Sequence, residues 1–107
     1  MRVAERERLS NRREAETFDV EALGLHFRAT VGKYADGRVG EIFLSNHRVN
    51  SMAGIMASDA AVVASIALQY GVPIHVIRHA LMRDSIGKPS GPLGVVLDRL
   101  ADEGGLI

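Results

Sequence analysis

Between Phe18 and Val31 apolar and polar residues alternate, whereas from about Ser51 the apolar positions recur at intervals of three and four. Phe18 and Val20, then Leu25, Phe27, Ala29 and Val31, fall on one side of an extended chain, with Thr17, Asp19, His26, Arg28 and Thr30 on the other. Strands with one covered face produce this pattern. Gly24 and the Asp36-Gly37 pair tolerate positive φ where the chain must reverse, so an antiparallel meander is the simplest pairing. A third strand is predicted from Val39 to Leu44, ending at the polar run from Ser45 to Ser51.

At 100° per residue, Ile55, Met56, Val62, Val63, Ile66 and Tyr70 share one face of the helix that follows, and Ala53, Ala57, Ala60, Ala61 and Ala64 line an adjacent one. Both faces are expected to be covered, which makes this the central helix. The alanine face suits close packing against another helix, within the domain or across a dimer. Gly71 is a natural residue to end the helix, and Pro73 pre-sets the first turn of a second. There Ile74, Ile77, Ala80 and Leu81 face inward, with His75, Arg78, His79 and Arg83 outward. A loop from Asp84 to Gly91 leads to Pro92 in the first turn of a last helix. Its stripe is Leu93, Val96, Leu97 and Leu100, and Gly104-Gly105 ends it.

Periodicity is missing before residue 16. Residues 1–15 form a charged tail, with Arg2, Arg6, Arg8, Arg12 and Arg13 set against Glu5, Glu7 and Glu14, expected to be mobile or ordered by a partner. Residues 16–104 then make a single domain. Its core must be modest and aliphatic, since 47% of the 107 residues are hydrophobic but only 5% are aromatic. Thirteen basic and thirteen acidic residues cancel, so no overall field draws the chain to nucleic acid or an anionic membrane. The absence of cysteine excludes a disulfide, a thiolate metal centre, a sulfur nucleophile and a thiyl radical. No apolar leader is visible and the apolar runs fall short of a bilayer span, so a cytoplasmic location without membrane contact is expected.

Among side chains that could carry chemistry, Asp59 stands out, because it lies between Ile55, Val62, Val63 and Ile66 on the bulky apolar face. A buried carboxylate has to be neutral, paired or hydrogen-bonded. The favoured reading is a structural polar tie to Arg83 or to backbone N–H groups at the start of the last helix, ahead of a ligand-binding role. The loop Gly87 to Gly94, GKPSGPLG, gathers Lys88, Ser90 and Gly91 at a helix start, a combination that can hold phosphate. Its spacing is not that of a Walker A loop, and Pro89 removes a donor. An ordinary helix start capped by Ser90, with Gly94 permitting close packing, weighs more heavily. His75 and His79 lie one turn apart, but two ligands do not complete a metal site, and His26 and His47 add no useful spacing. Arg12 and Arg13 are offset by Glu14 and Glu16, against a nucleic-acid grip. No catalytic residue, metal site or cofactor is identified.

Taken together, NRREAETFDV (Asn11 to Val20), DGRVGEIFLS (Asp36 to Ser45) and the stretch from Ser58 to Gly94 resemble the TSCPD-type domain. That domain occurs at the C-terminus of adenosylcobalamin-dependent ribonucleotide reductases and as free-standing small bacterial proteins. The resemblance covers roughly Asn11 to Ala101. The Thr-Ser-Cys-Pro-Asp signature is absent, so a cysteine-based metal role does not carry over, and neither does any catalytic residue. A reductase label would describe the relatives' catalytic barrel, since ribonucleotide reduction needs a cysteine radical and a barrel to shield it.

The resulting expectation is an α+β fold, a three-stranded antiparallel meander followed by three helices, with a single layer of sheet packed on the helices. A homodimer is expected because the core is small and the central helix has two faces to bury. In function the chain reads as a non-catalytic accessory or binding module, with a protein partner in deoxynucleotide metabolism implied by the resemblance. Two alternatives stand beside it: a phosphate- or nucleotide-binding regulator using Lys88, Ser90 and Gly91 with Asp59 or Asp84, and a nucleic-acid binder using the tail arginines with Arg78 and Arg83.

Overall fold

The computed structural model describes residues 5–48 and 50–104. The elements run β1 (Ala15–Ala22), β2 (Leu25–Lys33), β3 (Val39–Asn46), α1 (Met52–Gln69), α2 (Ile74–Ala80) and α3 (Pro92–Gly104). The sheet order is β1-β2-β3 with both pairings antiparallel. The expected α+β meander with three helices is therefore what forms. Of the predicted boundaries, the start of the tail and Gly105 lie outside the described residues.

Local chemistry sets the connections. Ala22 pairs with Leu25 across a two-residue loop in which Leu23 (φ 58°) and Gly24 (φ 71°) are both left-handed, the type I′ geometry that matches strand twist. Glycine adopts it freely, but leucine does not. Ser51 caps α1 by accepting from the N–H of Gly54 at 3.1 Å. The helix ends in a Schellman motif, with Gly71 (φ 94°) donating to Leu68 and Val72 donating to Ala67.

One face of the sheet, Phe18, Val20, Phe27, Ala29, Val31, Ile42 and Leu44, is buried beneath α1 and α3. From α3 come Leu93, Val96, Leu97 and Leu100, the predicted stripe. Gly94 does permit close packing, since a Cβ there would lie 2.8 Å from Cβ of Pro89.

The expected arrangement of α1 is corrected. Only its small-residue face is buried, through Ala57, Ala61, Ala64, Ser65 and Gln69, and it meets chiefly β3, with a smaller contact to α3. Ile55, Met56, Val62, Val63, Ile66 and Tyr70 point outward. The reason is reach. With alanine against the strand, the Ser65 hydroxyl comes close enough to accept from the Ile42 N–H at 2.8 Å and to lie 3.0 Å from the Ile42 carbonyl. One turn on, Gln69 donates to the Gly40 carbonyl at 3.0 Å. A bulkier face would hold the helix away and leave these strand groups buried without partners.

The expectation that no segment reaches a bilayer span is corrected as well. With 18 residues and a mean hydropathy of 1.5, α1 is long and apolar enough to cross a membrane by length and composition. Its ties through Ser65 and Gln69 to β3 are those of a helix packed in a domain.

Candidate functional site

The loop from Asp84 to Gly91, read as an ordinary helix start with phosphate binding as the alternative, folds into a small hairpin. Arg83 bridges Pro89, the N–H of Asp84 donates to the Lys88 carbonyl, and the N–H of Ser90 donates to Met82. The Asp84 carboxylate accepts from the N–H groups of Ile86 at 3.0 Å and Lys88 at 2.9 Å. Lys88, Ser90 and Gly91 are thus brought together at the start of α3, and within the loop Asp84 occupies the N–H groups of Ile86 and Lys88.

Arg83 does not reach Asp59. Its guanidinium grips Asp98 of α3 with contacts of 2.6 and 2.9 Å, and Arg78 of α2 adds one of 2.8 Å to the same carboxylate. Arg83 also donates to the Gly87 carbonyl, so Asp98 fastens α2 and the hairpin to α3. The Arg83 hydrogen bonds, reinforced by Arg78 and opposed by burial, hold the Asp98 carboxyl down at about 2. The expected tie between the central helix and the Arg83 region is therefore replaced by Asp98. Asp59 is exposed. Turning the bulky face of α1 outward carried its carboxylate to water, where it needs no partner.

The described part of the arm lies on its own domain. The N–H of Glu7 donates to the Gln69 carbonyl, Arg6 donates to the Gln69 side chain at 2.6 Å, and the Glu7 carboxylate takes both terminal nitrogens of Arg38 at 3.0 and 3.1 Å. Arg13 pairs with Glu41, whose side chain is 10% exposed. Behind Arg38 opens a cavity of about 570 Å³ lined by Lys33, Tyr34, Leu68, Pro73, Leu100 and Glu103 among others. Burial, with help from Glu7, pushes the Tyr34 hydroxyl up. Arg38, which also pairs with Asp36 at 2.7 Å, is already engaged by two carboxylates.

His75 and His79 stack edge to face with ring centres 6.3 Å apart. Among the described residues no group of three or more His, Asp or Glu side chains is placed to hold a metal ion.

Among the described residues, the outside of α1 is an open apolar surface. Met52, Met56, Asp59, Val63, Ile66 and Tyr70 follow one another at spacings of four, three, four, three and four, a heptad seam, and all six are exposed. Met52 is 81% open and Val63 67%. Asp59 sits mid-seam beside a groove whose lining includes Asn46, Arg48, Ile55 and Ser58. Sequence periodicity located the seam residues from Met56 to Tyr70, though not Met52, but assigned them to a covered face.

The site and fold define a small α+β domain whose open feature is an apolar helix face rather than a constellation of reactive groups. No protein-family profile matches the chain, and no solved structure matches it. In sequence it is similar to vitamin B12-dependent ribonucleotide reductases. It is 39% identical over 70 residues to that of Agrobacterium fabrum, covering 65% of this chain and 6% of the relative. It is 33% identical over 89 residues to that of Bradyrhizobium diazoefficiens (83% and 7%) and 39% identical over 72 residues to that of Rhodopirellula baltica (67% and 7%). The chain is therefore ribonucleotide-reductase-like over most of its length, while spanning only 6–7% of the relatives it matches.

Proposed function

We propose that this chain is a TSCPD-type accessory module that serves ribonucleotide reduction by binding protein, and that it performs no reduction itself. The carrying observation is the mismatch of coverage: one relative is matched over 83% of this chain but only 7% of its own length. A segment of that size is a module beside the chemistry. The composition supports this, since a chain without cysteine cannot supply the thiyl radical or the reducing thiols of such a reaction. The engagement of Arg78, Arg83, Arg38 and Arg13 by carboxylates also favours a protein partner over nucleic acid.

The test is to mix the chain with a vitamin B12-dependent ribonucleotide reductase of its host and to follow complex formation by sedimentation velocity and turnover with a ribonucleotide substrate. The expected result is a complex, or a change in turnover, and no reduction by the chain alone. No association and unchanged turnover at about 50 µM chain, well above common cellular affinities, would overturn the reading.

A further inference from the structure

We propose that the outer face of α1 binds the same face of a second copy of this chain, with the two helices antiparallel about a twofold axis near Ala61. This rests on the geometry of α1 and not on the link to reductases.

The seam is self-complementary. Reversed about Ala61, Met52 meets the second copy's Tyr70, Met56 meets Ile66, and Asp59 meets Val63, so each large side chain faces another large one and the carboxylate faces a valine. Such an isologous pairing is what a twofold axis requires. The spacing suits it too, because residues three and four apart keep to one side of two helices crossing at a shallow angle.

Charge chooses the direction. Asp59 is the single ionisable residue between Met52 and Gln69. Parallel helices would set Asp59 against its copy inside the seam, whereas antiparallel helices move the two carboxylates about 6 Å apart along the axis and leave each beside its own groove, which Arg48 also lines. Opposed helix dipoles favour the same arrangement. Between Met52 and Tyr70 the helix carries no basic residue, and an apolar surface of this kind is matched best by itself.

The area is adequate. The seam with its flanking Ile55 and Val62 leaves on the order of 700 Å² open on each copy, against about 800 Å² per partner in a stable interface of standard size. A 1:1 dimer forming at micromolar concentration is expected.

Sedimentation equilibrium of the full chain tests this. The wild type should shift from monomer to dimer as concentration rises toward about 200 µM. Val63→Lys, on a residue already exposed, should keep the circular dichroism and melting behaviour of the monomer and weaken the dimer at least about 30-fold. Asp59→Asn should tighten it several-fold by removing the charge from the seam. The absence of cysteine allows direct mapping: mixed Met56→Cys and Ile66→Cys chains should cross-link to each other with a short bis-maleimide. A chain that stays monomeric at about 200 µM, or a dimer indifferent to Val63→Lys, would overturn the interface. Dominant self-linking of Met56→Cys would overturn the antiparallel arrangement.

Discussion

Replacing Asp98 by asparagine keeps the shape of the side chain but removes the charge that Arg78 and Arg83 share. All three side chains are about three-quarters buried, at 25–28% exposed, so solvent screens the cluster only in part. A carboxyl held at about 2 in the folded chain, against 3.8 when free, contributes roughly 2 kcal/mol above pH 4. For a domain of this size that corresponds to a fall of about 10 °C in melting temperature at pH 7. The sign of the pH dependence follows from the same shift. Because the folded pKa is depressed, the contribution is complete above 3.8 and is lost as pH falls through about 2. Other acidic groups titrate in this range too, so the informative quantity is the difference between wild type and Asp98→Asn, measured by thermal unfolding at a series of pH values. It should be largest near neutrality and shrink toward zero near pH 2. Equal stability at pH 7, or a difference that does not change with pH, would refute the assignment of Asp98 as the ionised link between α2, the hairpin and α3.

Three further outcomes are expected. Ser65→Ala strips the Ile42 N–H of its acceptor and should cost about 1–3 kcal/mol, with the Ile42 amide exchanging faster in hydrogen-exchange NMR. Arg13→Ala leaves the nearly buried Glu41 carboxylate unpaired and should cost about 2 kcal/mol in urea unfolding, most of which a second change, Glu41→Gln, should restore. Leu23→Asn relieves a leucine 72% exposed at φ 58° and should raise stability by about 0.5–1 kcal/mol in the same assay.

The strands were legible because their alternation had a single solution, with Phe18, Val20, Phe27, Ala29 and Val31 on one side and charged or hydroxylated residues on the other. The last helix was legible for a similar reason, since Leu93, Val96, Leu97 and Leu100 fall on one stripe with Asp98, Arg99, Asp102 and Glu103 off it. The first helix was not. Both of its faces are apolar, so periodicity fixes which residues share a face without saying which face is covered. Bulk pointed one way, and strand contact decided the other. One signal was present and misassigned: a carboxylate at the centre of the bulky face is tolerated when that face lies outside the domain core, whereas burying it within the core demands a partner. The Arg83 partner was hidden for a different reason. Asp98 lies on a helix whose docking angle depends on Gly94 fitting against Pro89, a packing detail without a sequence period. The Arg13–Glu41 pair joins an aperiodic arm to a strand and left no pattern to read.

The way α1 lies along β3 also gives the sheet a direction of growth. Side chains of Ser65 and Gln69 take the groups of Ile42 and Gly40 that would greet a fourth strand, so this margin is closed to backbone pairing. The other margin is β1, which within its span carries Glu16, Asp19 and Glu21 and no basic residue. Another copy of β1 laid beside it would bring like charges together, while a basic extended peptide would meet no such opposition. The domain is thereby guarded against edge-to-edge polymerisation on one side by hydrogen bonding and on the other by repulsion.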